Sequence, residues 1–180
     1  MKRSPNRSEQ DHRWFLYAPV AIASLLADQI SKHLVLDTMA VGSTHVVIPH
    51  FFQIDSARNR GIVFGWLSGG TMNVPQGFFI GVTLIALGFV LAYSRSKRRE
   101  KGWNFYALSL IFGGAVGNLA DRIQFGRVVD FLDFSLMGHH WYVFNLADFC
   151  IVLGVGFLFL SQFWRQKTVL RPKSSLESSS

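Results

Sequence analysis

Four blocks of apolar residues, at about 14–36, 74–93, 103–119 and 143–164, leave this chain few ways to fold. Each is close to the ~20 residues a helix needs to cross the hydrocarbon core of a bilayer. Composition agrees: 49% of the 180 residues are hydrophobic and only 16% charged, too apolar for an ordinary soluble domain. The net charge of +7 could suggest a nucleic-acid binder, but its distribution does not. Lys2, Arg3, Arg7 and Arg13 precede the first block; Arg95, Lys97, Arg98, Arg99 and Lys101 separate the second from the third; Arg165, Lys167, Arg171 and Lys173 follow the fourth. Those are 13 of the 18 basic residues, at alternate connections. This is the positive-inside pattern, and it puts both termini in the cytoplasm. The expected fold is therefore an all-α polytopic membrane protein, with four transmembrane helices and a small extracytoplasmic β-sheet.

Residues 1–13 read as a polar cytoplasmic tail, 14–165 as a single membrane domain and 166–180 as a basic, Ser-rich, disordered tail. The first block is too long for a signal peptide and lacks a small-residue cleavage site. It is interrupted by Asp28, Ser31 and Lys32, and Asp28 and Lys32 share a helix face four residues apart. They can pair, or Lys32 can snorkel to the surface. The connection that follows is β-rich at about 41–65: His45–Asp55 carries β-branched and aromatic residues around Pro49. Phe51, Phe52, Phe64 and Trp66 are expected to touch lipid, and the segment between Ala57 and Gly70 to close over a bound ligand. Gly77, Gly81 and Gly88 in the second block, and Gly113, Gly114 and Gly117 in the third, are expected where helices approach closely. The second outer connection, about 120–142, carries Asp121, Arg122, Arg127, Asp130 and Asp133 without an assigned strand. If the third helix continues, Asn118, Asp121 and Arg122 lie on one face.

The polar residues within the blocks gather at one depth. Asp28, Lys32, Asn118, Asp121, Arg122, Asn145 and Asp148 all fall at outer helix ends, and Asn59 and Asp130 come from the outer connections. Ionisable groups in such a setting are functional candidates. Asp130 lies in the apolar run Val128, Val129, Phe131, Leu132, where a charged carboxylate is costly. Asp148 is its natural partner. Two carboxylates sharing a poorly solvated pocket cannot both ionise near neutrality, so the pair holds one proton. The ionised member can then activate water while the protonated one polarises a carbonyl. Asn118, Asn145 and Arg122 can hold carboxylates or substrate carbonyls, and Asp121 can hold Arg122 or the outer loop. No metal or cofactor is expected: the adjacent His139 and His140 lack a helical metal-binding spacing, and the lone Cys150 excludes an internal disulfide. A Ser31–Lys32 dyad is disfavoured, because neighbours on a helix point about 100° apart. Spacing alone leaves two other classes open: a small proton-coupled transporter relaying through Asp28, Asp121, Asp130 and Asp148, and a structural subunit with interfacial ion pairs.

The motifs Asp28-Gln29-Ile30-Ser31-Lys32, Asn59-x-Gly61-x-x-Phe64, Gly113 to Arg122 (GGAVGNLADR), Val129-Asp130-Phe131 and Phe144-Asn145-x-Ala147-Asp148 occur in an order that resembles the lipoprotein signal peptidases (signal peptidase II) over about residues 14–165. The resemblance implies an aspartyl endopeptidase of the bacterial inner membrane with its site on the periplasmic side. It implies catalysis by Asp130 and Asp148. Asp28, Lys32, Asn59, Gly61, Asn118, Asp121, Arg122 and Asn145 match family positions that line the site and contact substrate or the inhibitor globomycin. The substrate implied is a diacylglyceryl-modified prolipoprotein held among membrane lipids, cut before its lipidated cysteine. A monomer that binds no nucleic acid is expected. Val63 and Phe149 are bulkier than the family's usual residues and are expected to alter the pocket.

Overall fold

The computed structural model describes residues 14–59, 74–96, 103–140 and 142–169. Gly61, Val63, Phe64, Trp66, most of the basic connection after Ser96 and the expected tail at 1–13 lie outside them. Four helices form: α1 (Trp14–Thr38), α2 (Gln76–Ser96), α3 (Trp103–Phe125) and α4 (Leu146–Val169). Two of them are long and apolar enough to cross a membrane, over Gln76–Arg95 and Leu146–Phe163, with mean hydropathies of 2.0 and 1.9. Helix α1 carries Asp28 and Lys32, and α3 carries Asp121 and Arg122, each pair set among apolar residues. Large apolar side chains such as Ile22, Leu26, Phe89 and Phe159 point outward, as suits a lipid solvent.

Helix α3 packs against each of the other three. Its small residues allow this. A methyl group at Gly117 would lie 2.5 Å from Asp28 Oδ2 on α1, and one at Gly114 would strike the Ala147 carbonyl on α4. Gly77, Gly81 and Gly88 of α2, expected at close contacts, instead border open space. A run of small residues lowers the barrier to helix contact on whichever face it lies; only the packing chooses the face.

Helix α3 also runs six residues past the expected end at Leu119, so Asp121 and Arg122 are helical rather than part of a loop. Hydropathy marks where a chain leaves hydrocarbon, not where its backbone stops coiling. The helix ends where Gly126 takes a positive φ of 66° and donates its N–H to the Arg122 carbonyl, 3.1 Å away. Helix α4 likewise starts at Leu146 rather than 143 and continues to Val169, beyond the expected 164.

The sheet has four antiparallel strands in the order β1 (Thr44–Ile48), β2 (Phe52–Asn59), β3 (Val128–Leu136) and β4 (His139–His140). The first two fall in the expected β-rich region. The third falls in the outer connection expected to be a loop, where carboxylates at 130 and 133 interrupt the apolar pattern of VVDFLDFSL. Pairing on both edges holds it. Strand β2 runs along one side, while β4 and Phe144 occupy the other. The β1–β2 turn places Pro49 second and His50 third with φ 62°, closed by Phe51 N–H to the Ile48 carbonyl. The β3–β4 turn is a two-residue loop with positive φ at both Met137 and Gly138. Phe134 stacks on Phe52 at 4.8 Å and on Phe144 at 5.9 Å, which joins the sheet to the approach of α4.

Candidate active site

Asp130 sits in β3 opposite Ala57 of β2. Asn59, two residues on from Ala57, points to the same face and donates its Nδ2 to Asp130 Oδ2 at 2.8 Å. Asn145 Nδ2 donates to the other oxygen at 2.7 Å. Asp130 is 2% exposed. Burial raises its pKa, as does the nearby Asp148 charge, while the Asn59 and Asn145 bonds and the Lys32 charge oppose the rise; the net position is about 6.

Asp148 arrives from the other side. Phe144 pairs with Leu132 of β3, its carbonyl accepting the Leu132 N–H at 2.8 Å and its N–H donating to the Leu132 carbonyl at 3.0 Å. The next residue, Asn145, caps α4: its Oδ1 accepts the Asp148 N–H at 2.9 Å, three residues on. Its amide meanwhile reaches Asp130 and, at 3.1 Å, Asn118 Oδ1. Asn118 donates its own Nδ2 to Asp148 Oδ1 at 2.7 Å. The chain Asp130–Asn145–Asn118–Asp148 therefore joins the two carboxylates through two buried amides.

Behind this chain lies an ionic cluster. Lys32 Nζ is 2.8 Å from Asp28 Oδ2, 2.9 Å from Asp121 Oδ2 and 3.0 Å from Asn118 Oδ1. Asp28, Lys32 and Asp121 are each 0–1% exposed, so Lys32 turns inward rather than snorkelling. Asp121 holds the outer chain, as one alternative had it, by accepting the Val129 N–H at 3.0 Å. The Arg122 guanidinium lies over the Phe79 ring, 5.7 Å from its centre, and bonds the Asn118 carbonyl at 3.3 Å. Arg122 Nε is buried without a protein partner among the described residues.

Asp130 and Asp148 both line a cavity of about 430 Å³. Asn59, Asn118 and Arg122 share its wall with Phe79, Val128, Tyr142, Phe144, Phe149 and Val152. Of the residues singled out in the sequence, Asp28, Lys32, Asp121 and Asn145 stand behind this wall rather than in it, and Gly61 lies outside the described residues. Phe149 is on the wall, as its bulk suggested. Tyr142, Phe79 and Gln29 were missed. The Tyr142 hydroxyl accepts from Asn59 Nδ2, and burial, with the nearby carboxylates, holds its pKa above the usual tyrosine value. Its place two residues before the Phe144–Asp148 motif was the available clue. Gln29 Nε2 reaches Asp28 Oδ2 at 3.1 Å, Asp121 Oδ1 at 3.0 Å and the Gly117 carbonyl at 3.2 Å. The Ser31 hydroxyl donates to the Asp28 carbonyl of its own helix, so it forms no dyad with Lys32. His140 Nδ1 lies 2.7 Å from Asp133 Oδ2, which also accepts from Gln53, and braces the sheet away from the cavity.

Known proteins resemble this chain in sequence and in fold. A family model described as signal peptidase (SPase) II matches residues 20–164. A lipoprotein signal peptidase of Maridesulfovibrio salexigens is 35% identical over 156 residues, covering 87% of this chain and 99% of that protein. One from Geobacter metallireducens is 41% identical over 145 residues, covering 81% and 88%. A bacterial membrane enzyme solved by the in meso method at 2.3 Å superposes with a TM-score of 0.74 at 33% identity, over 88% of this chain and 93% of the other.

Proposed function

The chain belongs to the signal peptidase II family, and from that premise we propose that Asp130 and Asp148 are its catalytic pair. The enzyme is an aspartic peptidase of the membrane that removes signal peptides from prolipoproteins. A transporter finds no support among these relatives.

The observation that carries the assignment is the amide-linked chain from Asp130 to Asp148 at the wall of one cavity. Asn118 and Asn145 hold both carboxyl groups toward the same space. The rise of Asp130 toward neutrality makes a shared proton accessible at working pH. In the proposed reaction the ionised carboxylate takes a proton from water as it attacks the scissile carbonyl. The protonated carboxyl donates to that carbonyl's oxygen. The C–N bond of the resulting tetrahedral diol then breaks as the carboxyl proton passes to the departing nitrogen and a diol hydroxyl returns its proton to the other carboxylate, which leaves an amine, a carboxylic acid and a singly protonated pair. Arg122 Nε, without a protein partner among the described residues, is suited to a substrate carbonyl. The apolar wall of Phe79, Phe149 and Val152 suits the acyl chains of a diacylglyceryl cysteine.

Four membrane-spanning helices within a single domain at about 14–165 fit this assignment, with both termini in the cytoplasm of the inner membrane and the sheet as a periplasmic cradle. Polar α1 and α3 cross by turning Asp28, Lys32 and Asp121 inward, where they satisfy one another. Globomycin, as the family's inhibitor, would occupy the same cavity in a monomeric enzyme.

The test is cleavage by purified protein in detergent, with prolipoprotein that does or does not carry diacylglycerol, in the presence of a chelator. Wild type is expected to cut only the lipidated form, and Asp130→Asn or Asp148→Asn to lose about 10³-fold or more in kcat. Full activity in either variant would overturn the pair.

A further inference from the structure

Asp28, Lys32 and Asp121 are almost wholly buried, lie outside the cavity wall and have no step in the proposed reaction. Their contacts show a symmetry. The residue before Asp130 is Val129, whose N–H donates to Asp121 Oδ2 at 3.0 Å. The residue before Asp148 is Ala147, whose N–H donates to Asp28 Oδ1 at 2.9 Å. Each aspartate of the pair is thus preceded by a peptide group tied to a buried carboxylate. The two carboxylates then meet at one ammonium, Lys32 Nζ, at 2.8 and 2.9 Å.

We propose that Lys32 is a positioning residue that sets the separation of the two aspartates. It acts through Asp28 on α4 and through Asp121 on β3. Its third contact, with Asn118 Oδ1 at 3.0 Å, adds a link to the amide that holds Asp148. An ammonium has three N–H donors, and these three acceptors match them. The peptide plane is rigid, so holding the Val129 and Ala147 nitrogens fixes where the following α-carbons lie. Strand β3 and helix α4 come from different stretches of chain, and their direct bridge at Leu132–Phe144 lies on the sheet side of the aspartates. The lysine cluster is the brace on the helix side. Gln29 Nε2 completes it by reaching both carboxylates, at 3.1 and 3.0 Å.

The proposal rests on Asp130 and Asp148 being the catalytic pair, and its test separates the two ideas. Full-length Lys32→Met, Gln29→Met, Asp130→Asn and Asp148→Asn are assayed per folded molecule in detergent, with diacylglyceryl prolipoprotein, for kcat, KM and the pH profile of kcat. Misplacing reacting groups by about 1 Å costs on the order of 100-fold, so Lys32→Met should lose about that much kcat with KM within about twofold. Its surviving activity should show an acid limb at higher pH, because a cation beside the pair has gone. Gln29→Met keeps the cation and should lose about tenfold in kcat at unchanged KM. If Lys32→Met does not fold, Gln29→Met decides alone. A wild-type kcat and pH profile per folded molecule in whichever variants fold would overturn the positioning role, as would a loss confined to KM. If the aspartate variants are inactive in that outcome, only the positioning role fails. If either aspartate variant is fully active, the catalytic assignment fails first.

Discussion

Burying Asp130 costs the fold stability, a cost that the proposed catalytic role would explain. Its carboxyl titrates at about 6 when folded and at an ordinary 3.8 when unfolded, with burial as the main cause. Between those values the unfolded chain releases the proton more readily, so the folded state loses stability as pH rises from below 4 to above 6. Asp130→Asn removes the titration and keeps the shape. Its melting temperature should match wild type near pH 4 and exceed it by roughly 5 °C at pH 7.5. Thermal unfolding in detergent across that range checks the sign; a variant that gains nothing as pH rises would show that Asp130 is solvated. Asn145 carries more of the site than its size suggests, since one side chain caps α4 and holds Asp130. Sequence spacing put Asn145 near Asp148, but the bond to Asp130 depends on a strand that was not legible.

At the scale of elements, α3 decides how closely the parts approach. Gly117 lets α3 sit against the Asp28 carboxylate of α1. Gly117→Ala would push a methyl into that carboxylate, which is already committed to Lys32 and Ala147. The expected cost is about 1–3 kcal/mol of stability, with a fall in kcat as the Ala147 tie shifts. Gly81→Ala in α2, where the space is open, should leave both unchanged. Melting temperatures and turnover of the two variants side by side test this; equal effects would mean that α3 does not set the contact. The glycines of α2 and α3 look alike in the sequence, because composition reports tolerance for contact and not its direction. Strand β3 was hidden for a related reason. Two carboxylates at 130 and 133 argue locally against a strand, and only the two edges that pair with it make it one.

In the whole molecule, exposed apolar helices surround a polar cluster on α1, α3 and the start of α4, and the sheet packs on that cluster's outer side. The orientation proposed for it is tested by cysteines placed at residue 5 and residue 175 in a Cys150→Ser background. In intact inner-membrane vesicles both should react with an impermeant maleimide only from the cytoplasmic face; labelling of one from the opposite face would exclude an even number of spans. The chain's class as a membrane protein, its four helices, the gathering of its polar residues and the choice of Asp130 and Asp148 as candidates were all legible in the sequence. Each depends on hydropathy or on residues a few positions apart, which one strand of text records. The third strand, the choice of glycines at helix contacts, the inward turn of Lys32 and the amide chain between Asp130 and Asp148 were decided only by the tertiary structure. Each is a hydrogen bond or a contact between segments distant in the chain, and its energy exists only once those segments have met.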